Sequence, residues 1–294
     1  MHFRKITIIG VGLLGGSLGL AIKKRRLAAQ VAGFVRRAAS IAECKKAKAV
    51  DLCTCDLHEA VADADLIVLC TPLAQMPPLV REMIPSLKRG AILTDIGSVK
   101  TSVVKELESL AAKAGAHFIG GHPMAGAEKT GVAAARADLF THAACIITPT
   151  RRSNPAALRK VERFWQALDS RVMRLTPELH DELVSRSSHL PHVAAATLAN
   201  LILDPTLPKS QPLLCANGFR DTTRIASGSP EMWRDIAISN RKNLGKALET
   251  FIRDLKKVQT LLKKGDAQAV EKFFRRGKTR RDNWCAQCAS PSPE

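Results

Sequence analysis

The sequence predicts an α/β fold, with a parallel sheet and crossing helices in the first part of the chain and helices alone in the rest. Three observations carry this. A strand-like run, Arg4 to Ile9, leads into Gly10-Val11-Gly12-Leu13-Leu14-Gly15, then a helical stretch, Ser17 to Arg26, then a second apolar run, Val31 to Val35. Further short apolar runs end in small polar residues: Leu66 to Cys70 before Thr71-Pro72, and Ala91 to Asp95 before Ile96-Gly97-Ser98. From Pro177 onward strand patterns stop and helical periodicity takes over.

The first element decides the class. G-x-G-x-x-G between a strand and a helix is the fingerprint of a Rossmann-type dinucleotide-binding domain. Gly10 allows the tight turn, Gly12 lets the backbone approach a diphosphate, and Gly15 lets helix and strand pack closely. The diphosphate belongs at the helix N-terminus, where free N–H groups and the dipole favour negative charge. Gly10, Gly12, Leu13, Leu14 and Gly15 are therefore the expected cofactor-binding residues of this turn.

The second strand ends Val35-Arg36-Arg37, without the acid that holds a ribose 2′-hydroxyl in NAD-binding versions. Two guanidinium groups suit a 2′-phosphate, so the expected cofactor is NADP, with NAD as the alternative. Thr71, Pro72 and Ser98 follow strand ends, where the chemistry of open α/β sheets gathers, and are expected to face the cofactor. Ala116 to Ile119 predicts a further short strand. The following GGHPMAGAEKTG, Gly120 to Gly131, predicts a shaped loop that presents His122, because Gly and Pro argue against a regular element. A strand at Ala144 to Thr148, a helix from Pro155 to Leu168 and a strand at Arg171 to Leu175 extend the sheet, giving a dinucleotide-binding domain over residues 1–174.

Residues 175–283 read as an all-α domain. Helical patterns cover Pro177 to Ser187, Pro191 to Leu203, Gln211 to Ser227, Pro230 to Lys263 and Ala267 to Arg281. Long apolar-faced helices without a sheet favour a homodimer through this domain. Residues 284–294 read as a disordered tail. Two segments here carry polar groups of interest: Ser188-His189-Leu190-Pro191-His192, and Phe219 to Ala226 with Asp221 and Arg224 spaced to share a helix face, followed by Trp233.

Bulk properties narrow the function. The 294 residues are 46% hydrophobic and carry 45 basic against 27 acidic side chains, a formal charge of +18. Such a balance attracts anions, whether a phosphorylated cofactor, a small dianion or nucleic acid. The densest basic run, Arg253 to Arg281, alternates with apolar residues at helical spacing, and neither an RNA-binding aromatic motif nor zinc-finger spacing occurs, so nucleic acid is not the expected partner. No signal peptide is visible and no apolar stretch is long enough to span a bilayer, so the expected location is the cytoplasm, away from membranes. The eight cysteines are expected as thiols, and Cys285-x-x-Cys288 lacks the second ligand pair of a zinc site, so no metal is expected.

With these segments in place, the sequence resembles the prephenate/arogenate dehydrogenase family of tyrosine biosynthesis, from Lys5 to about Val270. Its carriers are GVGLLGGSLG, DIGSVK at Asp95 to Lys100, GGHPMAGAEKTG, SSHLPHVAAA at Ser187 to Ala196, and GFRDTTRIASGSPEMWRDI at Gly218 to Ile236. The resemblance implies that His122 accepts the proton of the substrate's 4-hydroxyl and that Ser98 bridges this hydroxyl, His122 and the nicotinamide. It implies that Arg224 holds the ring carboxylate and that Ser188, His189, His192 and Trp233 line the pocket, with Glu128 and Asp221 near its mouth. The implied reaction is oxidative decarboxylation of arogenate or prephenate, with hydride passing to NAD(P) and CO2 leaving as the ring becomes aromatic.

Both substrates carry the groups that His122 and Arg224 would meet, so these residues do not choose between them. The stretch after Arg281 is too short for a separate regulatory module, so inhibition by tyrosine is expected to compete with substrate. The enzymatic alternative is an NADP-dependent 3-hydroxyacid or imine reductase of similar two-domain plan. The non-enzymatic alternative is a basic nucleic-acid-binding protein.

Overall fold

The computed structural model describes residues 2–126 and 129–289, with the side chains of residues 288 and 289 left aside. Its first unit, residues 1–243, is built on β1 (Phe3–Ile9), α1 (Leu13–Lys24), β2 (Ala28–Phe34), α2 (Ala38–Ala47), β3 (Leu52–Thr54), α3 (Leu57–Val61), β4 (Leu66–Leu69), α4 (Met76–Met83), β5 (Ile92–Asp95), α5 (Thr101–Lys113), β6 (His117–Pro123), β7 (Ala144–Thr148), α6 (Pro155–Gln166) and β8 (Arg171–Arg174). The strands form one sheet in the order β3-β2-β1-β4-β5-β6-β7-β8. All neighbours are parallel except β6 and β7, which run antiparallel. The strand order reverses at β1 and β4, the point where such sheets open a crevice at their C-terminal edge.

Alternation along the central strands builds two cores. In β4, Leu66 and Val68 join Ile6, Ile8, Leu18, Ile22, Phe164 and Trp165 on one face. Ile67 and Leu69 join Val80, Met83, Val104 and Leu107 on the other. Strands buried on both faces read as continuous apolar runs, and each large side chain so buried contributes about 1.5–3 kcal/mol.

His122 lies in a strand, not in the loop expected from its glycines and proline. β6 continues through Gly120 and Gly121 because β7 pairs with it, setting His122 opposite Ile146 and Pro123 opposite Cys145. Proline is tolerated as the last strand residue, where its missing N–H breaks no further ladder bond.

Between Pro177 and Lys264 the helices break at other points than the periodicity suggested. α7 (Pro177–Val184) passes through one π turn, Ser185–His189, into α8 (Leu190–Ile202). The pattern over Gln211 to Ser227 breaks into two short 3-10 turns around α9 (Asn217–Thr223). The single helix expected from Pro230 divides at Asn240 into α10 (Pro230–Ser239) and α11 (Arg241–Lys264). Asn240 is buried there and its side chain donates to the Asp181 carbonyl at 2.8 Å, which holds the break.

The second unit, residues 244–294, consists of the remainder of α11 and α12 (Ala267–Ala289). α12 runs on through Trp284 to Ala289, so residues 284–289 of the expected tail are helical, and residues 290–294 lie outside the described residues. Phe251, Ile252, Leu255 and Leu262 on α11 and Phe274 and Trp284 on α12 are exposed. Among the described residues no helix is long and apolar enough to cross a membrane.

Candidate active site

The cofactor cradle follows from two backbone demands at the β1–α1 turn. Gly10 has φ +97°, a conformation L side chains rarely adopt, and a Cβ at Gly15 would sit 2.1 Å from the Gly10 carbonyl oxygen. Gly12, by contrast, has nothing within 4 Å of where its Cβ would be. That open space lies at the N-terminus of α1, with Leu13 and Leu14 in the first turn. Thr71 follows β4, and its Oγ1 is buried without a hydrogen-bond partner; Pro72 beside it is exposed. Arg36 and Arg37 are exposed beyond the end of β2, Arg37 immediately before α2. An open cradle, an orphaned hydroxyl and two exposed guanidinium groups fit a phosphorylated dinucleotide.

A buried polar cluster stands at the C-terminal ends of β5 and β6. Asp95 ends β5, and its carboxylate accepts from the N–H of Gly97 (2.8 Å) and of Gly121 (3.1 Å). Lys100 pairs with the same carboxylate and donates to the Gly121 carbonyl at 2.7 Å, both side chains being fully buried. Next to Gly121, His122 places Nδ1 2.8 Å from Nε2 of His180. His180 Nδ1 is in turn 2.8 Å from Asp181 Oδ1. Asp181 closes the cluster by accepting from the N–H of Lys100 (2.7 Å) and of Thr101 (2.8 Å), capping α5 from another helix.

A second group surrounds the π turn. His189 is buried, its Nδ1 is 3.2 Å from Asn240 Nδ2, and its Nε2 makes no hydrogen bond. The Ser98 backbone lies against it. His192 stacks on Trp233 with centroids 3.6 Å apart, and Trp233 meets His189 edge-on at 6.1 Å. Ser188 accepts from His192 Nδ1 through its carbonyl at 2.9 Å. Asp221 is exposed on α9, and Arg224 is exposed at the start of the 3-10 turn that follows. Glu128 lies outside the described residues.

The electrostatics keep the imidazoles neutral. Burial, with repulsion from His180, Lys100 and His189, holds His122 well below the ordinary histidine range. Burial likewise lowers His180, against the pull of Asp181, and pushes His189 down to about 4. Burial raises the Asp181 carboxyl, but hydrogen bonds from His180, Thr101 and the Lys100 backbone outweigh it and hold it below the usual carboxylate range. A neutral imidazole near the C-terminal end of a sheet strand can accept a proton from a bound hydroxyl.

Known proteins agree with this geometry. The family model for the nucleotide-binding domain of prephenate dehydrogenase matches residues 18–174, and that for its dimerization domain matches residues 176–276. The chain belongs to the prephenate dehydrogenase family. It is 33% identical to a cyclohexadienyl dehydrogenase of Zymomonas mobilis over 276 residues, covering 93% of each chain. It is 32% identical to a prephenate dehydrogenase of Bacillus subtilis over 283 residues, covering 94% of this chain and 75% of the relative. A crystal structure of prephenate dehydrogenase from Aquifex aeolicus, in complex with hydroxyphenyl propionate and NAD+, superposes with a TM-score of 0.90 at 29% identity, covering 96% of this chain and 99% of that one.

Within this prephenate dehydrogenase fold, Lys100, His180, Asp181 and Asn240 were not among the residues expected from sequence. A signal for two of them exists. The buried residues of α7 are Pro177, His180, Asp181 and Val184, the spacing of an apolar stripe. Histidine and aspartate on such a stripe mark a polar cluster inside the protein.

Proposed function

We propose that this prephenate dehydrogenase relative oxidatively decarboxylates prephenate or arogenate with His122 as the base, and that NADP is its preferred cofactor. The observation that carries the reading is His122, buried and neutral near the C-terminal end of β6, on the same edge of the sheet as the turn after β1. Gly10, Gly12, Leu13, Leu14 and Gly15 hold the diphosphate, Arg36 and Arg37 meet the 2′-phosphate, and Thr71, Pro72 and Ser98 border the nicotinamide end. When bound, the nicotinamide supplies the hydride acceptor.

As hydride leaves C4, His122 takes the proton of the 4-hydroxyl; C4 becomes a ketone conjugated through the ring to the opposite carbon, whose bond to the carboxylate breaks with loss of CO2 as the ring becomes aromatic. Arg224 clamps that carboxylate, Asp221 steers Arg224, and His189, His192, Ser188 and Trp233 shape the pocket. In this reading the exposed apolar faces of α11 and α12 meet a second copy in a homodimer. The cytoplasm is a compartment in which the cysteines that are free among the described residues stay as thiols.

Replacing His122 by Asn tests the base. Turnover should fall about 10²–10⁴-fold while the dissociation constant for NADPH, followed by its fluorescence, stays near the parental value. Near-parental turnover would remove His122 from this role. Steady-state rates with prephenate and arogenate then identify the side chain accepted.

A further inference from the structure

Asp181, His180 and His122 are joined by two hydrogen bonds in line, and we infer that this chain fixes which nitrogen of His122 acts as the base. The inference rests on the reading of His122 as base. A carboxylate accepts but does not donate, so the 2.8 Å contact from Asp181 Oδ1 requires a proton on His180 Nδ1. His180 is fully buried and neutral, which leaves a lone pair on its Nε2. That lone pair, 2.8 Å from His122 Nδ1, accepts the Nδ1 proton of His122. His122 is then the Nδ1–H tautomer, and its Nε2 lone pair is the one offered to a substrate hydroxyl.

The orientation cannot reverse without cost. A reversed chain would set a lone pair of His180 Nδ1 against a carboxylate oxygen at 2.8 Å. Asp181 cannot turn away either, because its two oxygens accept the N–H groups of Lys100 at 2.7 Å and Thr101 at 2.8 Å. These open α5, whose N-terminal dipole favours a negative charge there. When His122 Nε2 takes the substrate proton, its Nδ1–H keeps donating to His180, and the Asp181 carboxylate stands behind the new positive charge. No proton needs to travel along the chain. His180 and Asp181 are positioning residues for His122.

The tautomer is read directly from two-bond ¹H–¹⁵N correlation spectra of the full-length protein labelled in histidine, with the His122 signals assigned by their loss in His122→Asn. The expected parental spectrum shows His122 protonated at Nδ1 and bare at Nε2. His180→Phe, which keeps a ring but removes the acceptor, should move His122 toward the Nε2–H form. It should lower kcat on the order of 10²-fold while KM stays within about twofold. His180→Gln, which can place a carbonyl oxygen near the same point, should recover at least about tenfold of that loss. A parental His122 protonated at Nε2 overturns the inference, and so does His180→Phe with parental kcat. If His180→Phe does not fold, the parental spectrum decides alone. That spectrum is independent of turnover, so it separates this inference from the role of His122 as base, which His122→Asn tests.

Discussion

Burying an ammonium group costs several kcal/mol unless its charge is matched and its protons are taken up. Lys100 meets both conditions with Asp95 and the Gly121 carbonyl, and so ties the start of α5 to the residue before His122. This residue stood within the DIGSVK segment, but sequence alone gives no reason for a lysine to be fully buried, because the reason is the carboxylate at the end of a neighbouring strand. His122 was singled out by the Gly and Pro that follow a strand-like run, but by itself such a histidine reads as an ordinary loop residue, and its role as base came from the resemblance to the family. His180 was not singled out, since a His–Asp pair in a helix resembles a solvated turn until the packing of α7 is known. Arg36 gives the prediction at this scale. It is exposed at the end of β2 with no acid nearby in the strand end, so Arg36→Ala should weaken NADP far more than NAD, by roughly 1–3 kcal/mol for a lost charge-assisted pair. Titration with both cofactors measures this. Equal losses would assign the guanidinium to the adenine or to solvent.

At the scale of elements, the strand–turn–helix opening was read correctly because its glycines answer to local geometry. β3, by contrast, was missed: three residues without an apolar run become a strand only because β2 offers a parallel edge. The same tertiary override carried β6 past Ile119 to Pro123. The turn before α1 also separates folding from binding. Gly15→Ala places a methyl group 2.1 Å from the Gly10 carbonyl oxygen and should destabilise the protein by about 1–3 kcal/mol or more, as overpacking does. Gly12→Ala meets nothing within 4 Å, so the fold should keep its stability within about 0.5 kcal/mol. The new methyl group would still occupy the space a diphosphate needs, and NADP affinity should fall at least about tenfold. Thermal unfolding and NADPH titration of the two variants check this; a Gly12→Ala protein with parental affinity would mean that the diphosphate does not lie on this turn.

For the whole molecule, the shared consequence of its buried and half-buried imidazoles is sensitivity to acid. His122, His180, His189 and His192 all have lowered proton affinity in the folded state, in each case chiefly through burial. An unfolded histidine binds its proton near pH 6.5. Between that pH and the lower folded value the unfolded chain holds more protons, so stability must fall as pH falls. The contribution is therefore complete above about pH 6.5. For His189, lowered to about 4, it is lost progressively down to that pH. This residue alone accounts for about 3 kcal/mol, at about 1.4 kcal/mol for each pH unit of the difference. The excess of basic side chains adds a second destabilising effect on acidification, since protonated carboxylates no longer offset it. Salt distinguishes the two, because it screens exposed charges and leaves buried ones largely untouched. The unfolding temperature should be flat between about pH 7 and 8 and decline from about pH 6.5 toward 4.5, and most of the decline should persist in about 1 M NaCl. A decline abolished by salt would assign the acid sensitivity to the surface, and an unchanged unfolding temperature at pH 5 would mean that these histidines are already protonated, or solvated, in the folded protein.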